Sequence, residues 1–202
     1  MRSIIIFLVC LSLGFTGFSQ VAFGIDVVTP YQGELAAVKK GDSWGFINKS
    51  GMLIIDYRSD FVIKNNSNVE TNYPVFKDGR SLIRKKIDGD YYYGFINTKG
   101  VEIIPAKFLN ATQFKNGFAI VVTLLKDSIG FNKVLEKNVT SNKLEEYVID
   151  TLGTKVRYLE NPMRYSKALQ KVKSPPKIRS KFIAPRLIAV LKKNGKWDIY
   201  KF

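Results

Sequence analysis

Carboxylates are the side chains in this sequence that could perform catalysis or bind a metal ion. Glu145 and Glu146 are adjacent, and a pair of acids is what a glycoside hydrolase uses at its active site. In a strand, however, successive side chains point to opposite faces, so this pair would not converge on one substrate. Asp42, Asp88 and Asp90 lack the spacing of an EF-hand, which indicates ordinary β-turns and no bound metal.

Two residue types that dominate enzyme active sites are nearly missing. The chain has no histidine, and its one cysteine is Cys10. Catalysis by Ser-His-Asp or Cys-His is therefore excluded, and so is a zinc site built from Cys and His. We predict a protein that is not an enzyme and that binds no cofactor and no metal. A hydrolase that acts on envelope or extracellular glycans through carboxylates is the alternative.

The first 19 residues differ in character from the rest of the chain. Arg2 precedes an apolar run from Ile4 to Leu13, and Gly17-Phe18-Ser19 follows. This order is typical of a secretory signal peptide cleaved before Gln20, and the apolar run is shorter than the ~20 residues that span a bilayer. We therefore expect residues 1–19 to be a signal peptide and residues 20–202 a single domain without a transmembrane segment. The mature protein would be exported to the periplasm, the cell surface or the medium.

The chain is strongly basic, with a formal net charge of +15. Its densest positive segment surrounds Pro175-Pro176, which favour an extended backbone. This pattern predicts a strip that binds an anionic envelope polymer or an acidic protein; a solubilising excess of charge is the alternative. Nucleic acid is not expected as a partner of an exported protein. The candidate binding residues are Lys167, Lys171, Lys173, Lys177, Arg179 and Lys181.

These side chains must be positioned by a repeated unit. Trp44-Gly45-Phe46-Ile47-Asn48-Lys49-Ser50-Gly51 recurs as Tyr93-Gly94-Phe95-Ile96-Asn97-Thr98-Lys99-Gly100, then as Tyr147-Val148-Ile149-Asp150-Thr151-Leu152-Gly153. Lys196-Trp197-Asp198-Ile199-Tyr200 is a truncated fourth copy. Each full copy reads as a strand followed by a turn that ends in glycine, and a second β-rich strand follows, which predicts a repeated hairpin. The third unit carries an insertion near residues 126–146, either an extended hairpin or a longer loop.

The recurring apolar positions predict a repeating core. Side chains at the same place in each hairpin would pack between neighbouring units, and a row of aromatic residues that binds carbohydrate or peptide is the alternative. The predicted core residues are Trp44, Phe46, Ile47, Tyr93, Phe95, Ile96, Ile149 and Trp197.

The repeated phrase resembles the WG repeat family, which is named for its Trp-Gly pair. The second unit matches best, through Tyr93-Gly94-Phe95-Ile96-Asn97-Thr98-Lys99-Gly100 and the later Ile103-Ile104-Pro105. Among the copies, Trp44-Gly45 keeps both letters of the name. The resemblance extends roughly over residues 30–202 and implies an all-β fold of about four imperfect tandem antiparallel hairpins, in a curved, propeller-like or open array. It supplies no catalytic residues, which favours an exported binding scaffold of unknown oligomeric state.

Overall fold

The computed structural model describes residues 24–63, 72–133, 136–165 and 174–202. All of its regular secondary structure is β-strand, arranged as four antiparallel sheets that follow one another along the chain. The all-β hairpin array predicted from the repeats is confirmed, and over the described ranges the array is open and does not close into a ring. No helix that could cross a membrane occurs in those ranges. The predicted signal peptide lies outside them.

Each of the first two sheets is built from one repeat. The first has the order β1-β2-β3-β4 and comprises Val27–Val28, Leu35–Lys40, Ser43–Asn48 and Leu53–Arg58. The second has the order β5-β6-β7 and comprises Arg80–Ile87, Asp90–Asn97 and Glu102–Phe108.

The third sheet is the largest and the fourth is the smallest in total length. In the third, the order is β11-β10-β9-β8 with β12 beside β10, and the strands are β8 Asn110–Ala111, β9 Phe118–Asn132, β10 Lys137–Asp150, β11 Lys155–Tyr158 and β12 Met163–Arg164. In the fourth, the order is β13-β14-β15, and the strands are Lys181–Ala184, Leu187–Leu191 and Trp197–Lys201. The insertion near 126–146 is thus an extended hairpin, because β9 and β10 pair from Phe118↔Asp150 out to Asn132↔Lys137.

One polar side chain organises the turn that ends each of the first three copies of the phrase. Asn97 Oδ1 accepts hydrogen bonds from the backbone N–H groups of Lys99 and Val101, both at 3.0 Å. Gly100 closes the turn with a φ of +80°, in the region that favours glycine. Asn48 and Asp150 form the same pair of bonds in the first and third units. This is the side-chain-to-backbone turn that the repeated Asn or Asp predicts.

The glycine of the Trp-Gly pair is needed where the next strand bulges over it. Around Gly94 the register of β6 with β7 shifts, and a Cβ at this position would lie 2.6 Å from the Ala106 N and the Ile104 O. Such a distance between a Cβ and backbone atoms is not tolerated without movement of the strand. Gly45 has the same environment in milder form, with the Ile55 O at 2.9 Å. The absence of a side chain therefore permits the close crossing of the two strands.

The two faces of each sheet pack against different neighbours, because side chains alternate along a strand. We call the face toward the following sheet the forward face and the opposite one the backward face. In the second sheet, Ile83 and Ile96 lie on the backward face, in a core cluster with residues of the first sheet. Leu82 and Phe95 lie on the forward face, clustered with Ile149 of the third sheet. The molecule is therefore a stack of sheets with an apolar layer between each successive pair.

Six of the eight predicted core residues are buried. They are Trp44, Phe46, Tyr93, Phe95, Ile96 and Ile149. Ile47 is half-buried and lies on the backward face of the first sheet. Trp197 departs from the prediction, since it is 46% exposed on the forward face of the fourth sheet. Burial of these aromatic residues depends on a following sheet, and none of the described residues forms one after β15.

Candidate anion-binding surface

The predicted basic strip is partly visible. Lys167, Lys171 and Lys173 lie outside the described residues, whereas Lys177 and Lys181 are exposed. Arg179 is half-buried, and its Nη2 donates a hydrogen bond to the backbone oxygen of Asn161 at 2.7 Å. Its guanidinium group is thus engaged inside the protein, which makes Arg179 a structural residue more than a contact for a partner.

The strip from residue 174 to 180 has no regular secondary structure and no strand partner, which agrees with the lack of a backbone N–H at its two prolines. Side chains of the third sheet hold it in place. Asn110 Nδ2 donates to the Pro176 oxygen at 2.7 Å, and Ile178 packs beside buried Leu109, Val122 and Leu144. With its inner side anchored in this way, the strip holds Lys177 toward solvent on a fixed backbone.

A buried carboxylate makes the strongest attachment of the strip. Glu146 in β10 is 0% exposed and accepts hydrogen bonds from Asn161 Nδ2 at 2.7 Å and from the Arg179 N–H at 2.6 Å. The Ser180 hydroxyl also donates to it. A buried carboxylate is stable only when its lone pairs are satisfied. Of the three donors, Arg179 and Ser180 lie in the segment that leads into the fourth sheet, whereas Asn161 lies between β11 and β12 of the third sheet. Glu146 therefore fastens the fourth unit to the third.

The position of Glu146 within the repeat is missed when the third copy is aligned by sequence similarity alone. The pairing of β9 with β10 places Tyr147 opposite Val121, where the second sheet has Gly94 opposite Ile83. Glu146, the preceding residue, therefore occupies the position of the aromatic residue in the first two units. The alignment of Tyr147-Val148 with the Trp-Gly pair is thus wrong by one position. Counting seven residues back from each turn glycine finds the equivalent set: Trp44, Tyr93 and Glu146.

Glu145 points to the opposite face from Glu146, as adjacent residues in a strand must. Its carboxylate accepts hydrogen bonds from the Tyr147 hydroxyl at 2.6 Å and from the Tyr158 hydroxyl at 3.3 Å. Burial, and then the hydrogen bond to Glu145, raises the pKa of Tyr147 to about 12. The two glutamates therefore serve separate polar clusters and do not form the acid pair that glycoside hydrolysis requires.

The fourth unit carries most of the unbalanced positive charge in the described chain. Residues 174–202 contain eight Lys or Arg residues against one acid, Asp198. Asp198 lies 3.6 Å from Lys192 Nζ, and the hydrogen bond of Lys192 to Tyr200 is the main cause that raises the pKa of this lysine. Lys181 Nζ lies 4.7 Å from the centroid of the exposed Trp197 ring. This surface thus combines exposed cations with an exposed aromatic ring.

Other depressions on the surface offer less chemistry. One of them, of about 510 Å³, lies between β4 and the turn at Gly100. Its charged groups are largely matched, because Arg58 forms two hydrogen bonds with Asp60, at 2.6 and 2.7 Å. In the ranges that the structure describes, no group of three His, Cys, Asp or Glu residues could hold a metal ion. Trp44 and Tyr93 are buried, so the alternative of an aromatic row that binds a ligand gains no support.

Two segments of the chain, residues 44–69 and 93–123, match the family model described as WG containing repeat. They begin at Trp44 and Tyr93, the two aromatic residues that precede the crossing glycines of the first two sheets. Neither the comparison with curated proteins nor the comparison with solved structures gave a match. These two segments are therefore WG repeats, and over them the resemblance predicted from the sequence is confirmed.

Proposed function

We propose that the protein is an exported, non-enzymatic scaffold that binds an anionic cell-envelope polymer through the basic surface of its fourth unit. The observation that carries this proposal is the imbalance of charge in residues 174–202, where the one acid already pairs with Lys192. A positive surface of this kind raises the local concentration of anionic partners. An acidic protein presents the same chemistry, and its binding would depend on the same residues.

The anchored strip supports the proposal. Because Asn110 and Glu146 fix its backbone, the strip loses little conformational entropy when a partner binds. Pre-ordered groups bind more tightly than mobile ones for that reason. Lys177 on this segment and Lys181 directly after it are thus suited to contact neighbouring charges of an anionic polymer.

The alternative, a glycan hydrolase that uses carboxylates, would need two acids that face one cleft. Glu145 and Glu146 face opposite sides, and each is bound to neighbouring donors. These contacts therefore favour the scaffold over the hydrolase.

Salt dependence tests the proposed binding. We expect the protein to cosediment with lipopolysaccharide aggregates at low ionic strength and to be released as salt rises toward 0.15 M, where screening acts within about 8 Å. Replacement of Lys171, Lys173, Lys177 and Lys181 by Gln should weaken binding about tenfold or more, since exposed ion pairs contribute about 0.2–1 kcal/mol each. Arg179 is left unchanged in this variant because of its internal hydrogen bond.

A matched control removes the same charge elsewhere. Lys40, Lys86, Lys99 and Lys115 are exposed in the first three units, and their replacement by Gln should leave most of the binding intact. Both variants should keep the thermal midpoint of the wild type. Binding that is independent of salt, or that both variants weaken equally, would assign the charge to solubility alone. Retention of an acidic protein from envelope extract in place of lipopolysaccharide would move the site to a protein partner.

A further inference from the structure

In the interior of this stack, the forward face of a sheet is an apolar surface that packs against the next sheet. In the first sheet it consists of Leu35, Ala37, Trp44 and Phe46, all of which are buried in the cluster shared with the second sheet. Phe46 lies edge-on to Phe61 and Phe76, at ring distances of 5.4 and 4.9 Å. This apolar layer between the two sheets shows what the forward face of a repeat packs against: the backward face of the next sheet.

The fourth sheet repeats this surface without a cover. The pairing of β14 with β15 matches that of β2 with β3 and places Leu187, Ala189, Trp197 and Ile199 at the four positions just described. In the described part of the chain no sheet lies on them. Ile199 is 62% exposed beside the exposed Trp197, whereas Leu187 is half-buried and Ala189 is buried, so Trp197 and Ile199 form the open part of this surface. Ile183 of β13 is exposed as well. The sequence resemblance between the first and fourth units thus corresponds to one interface that is filled and one that is open.

The backward face of the first sheet exposes part of a complementary apolar surface. Val28 pairs with Val38, and Leu53 pairs with Ile47, so all four side chains lie on this face. Val38 is buried and Ile47 is half-buried, whereas Val28 and Leu53 are 62% and 40% exposed, so these two side chains are the ones that this face offers to a partner. In the second sheet the corresponding face, with Ile83 and Ile96, is covered by the forward face of the first sheet. The two ends of the stack therefore carry the two halves of the interface that its interior repeats.

We propose that the forward face of the fourth sheet binds the backward face of the first sheet of a second copy of this chain. The charge of the two ends favours this head-to-tail contact. Residues 174–202 have eight bases and one acid, whereas residues 24–63 have four bases and five acids. A symmetric contact between two fourth sheets would bring like charges together, which is unfavourable. A head-to-tail dimer still carries one unpaired face at each of its ends, so further copies can add to it and form longer oligomers.

Two single variants and their mixture test this proposal. Sedimentation velocity of the wild-type protein should show an average mass that rises with concentration above that of the monomer. Ile199→Lys blocks the forward end and Leu53→Lys blocks the backward end, so each variant alone should remain a monomer. Their equimolar mixture keeps one intact half-interface on each partner and should form a dimer that grows no further. Leu152→Lys, at an exposed turn of the third unit, should associate as the wild type does.

The same experiment separates the proposal from its alternatives. Dimerisation of Leu53→Lys alone would mean that two fourth sheets bind each other, and it would overturn the head-to-tail contact. A monomeric wild type at every concentration would overturn self-association altogether, as would undiminished association of both blocked variants. Thermal midpoints within a few degrees of the wild type would show that the variants are folded, because both substitutions are at exposed positions. Association that persists at high salt is expected, since the contact is mainly apolar.

Discussion

Glu146→Ala is expected to lower the free energy of unfolding by about 3–5 kcal/mol. The substitution removes the acceptor of three hydrogen bonds, from Asn161 Nδ2, the Arg179 N–H and the Ser180 hydroxyl. A buried donor left without a partner costs about 1–3 kcal/mol, and water can recover part of that cost at the half-buried Arg179. The fourth unit should loosen first, because Arg179 and Ser180 connect it to β10.

Chemical denaturation of matched variants measures this effect. Glu146→Gln keeps one acceptor oxygen, so its free energy of unfolding should lie between that of the wild type and that of Glu146→Ala. Glu145→Ala is the control at the adjacent position: its partners are two tyrosine hydroxyls in half-buried surroundings, and the loss should be about 1 kcal/mol. Equal losses for Glu145→Ala and Glu146→Ala would show that Glu146 does not fasten the fourth unit.

Phe95→Ala is expected to cost a similar amount, about 3–5 kcal/mol, because deletion of a large buried side chain leaves a cavity. Phe95 is 1% exposed and lies edge-on to Phe114 at a ring distance of 4.8 Å. It occupies the layer between the second and third sheets, together with Ile104 and Ile149. The loss should therefore reduce the cooperativity of the whole stack as well as its stability.

Val101→Ala provides the comparison for Phe95→Ala. Val101 directly precedes β7, after the same turn, and is exposed, so its truncation should change stability by less than about 0.5 kcal/mol. Both variants can be followed by far-ultraviolet circular dichroism in urea. A loss below about 1 kcal/mol for Phe95→Ala would place the side chain outside the core and refute the stacked arrangement of the second and third sheets.

The hairpins were predictable from the sequence because their determinants are local. Asn97 and Gly100 specify the turn by themselves, one through its side-chain oxygen and the other through its positive φ. The alternation of apolar residues at Phe95 and Ile96 likewise indicates two buried faces. The turn residues and the alternation of apolar residues do not depend on distant parts of the chain, so both can be recognised from the sequence.

The stacking of sheets was not predictable in the same way. Trp197 has the sequence context of a core residue, and only the absence of a covering sheet in the described chain leaves it exposed. In the third unit, Glu146 occupies the position that Trp44 and Tyr93 occupy in the first two, and the sequence hides this for another reason. The strand register is needed to find it, because Tyr147 resembles these aromatic residues but lies one residue further along β10.

The basic strip shows a third feature that the sequence alone does not predict, namely which cations face solvent. Composition counts Arg179 with the lysines around it, but its guanidinium group donates to the Asn161 oxygen. Whether a cation faces a partner or its own chain depends on the tertiary contacts of its neighbours. In this case Glu146 accepts a hydrogen bond from the Arg179 N–H and holds the backbone at this residue beside the protein interior.

Tryptophan fluorescence measures most directly the central claim, that each forward face is buried by the next sheet and that the last one is open. The chain has two tryptophans, at equivalent positions in the first and fourth units. We expect Trp44, observed in Trp197→Phe, to emit at short wavelength and to resist quenching by acrylamide, because it is buried. Trp197, observed in Trp44→Phe at a concentration where the protein is monomeric, should emit at longer wavelength and be quenched several times more efficiently. Equal quenching of the two residues would contradict the stacked architecture and its open end.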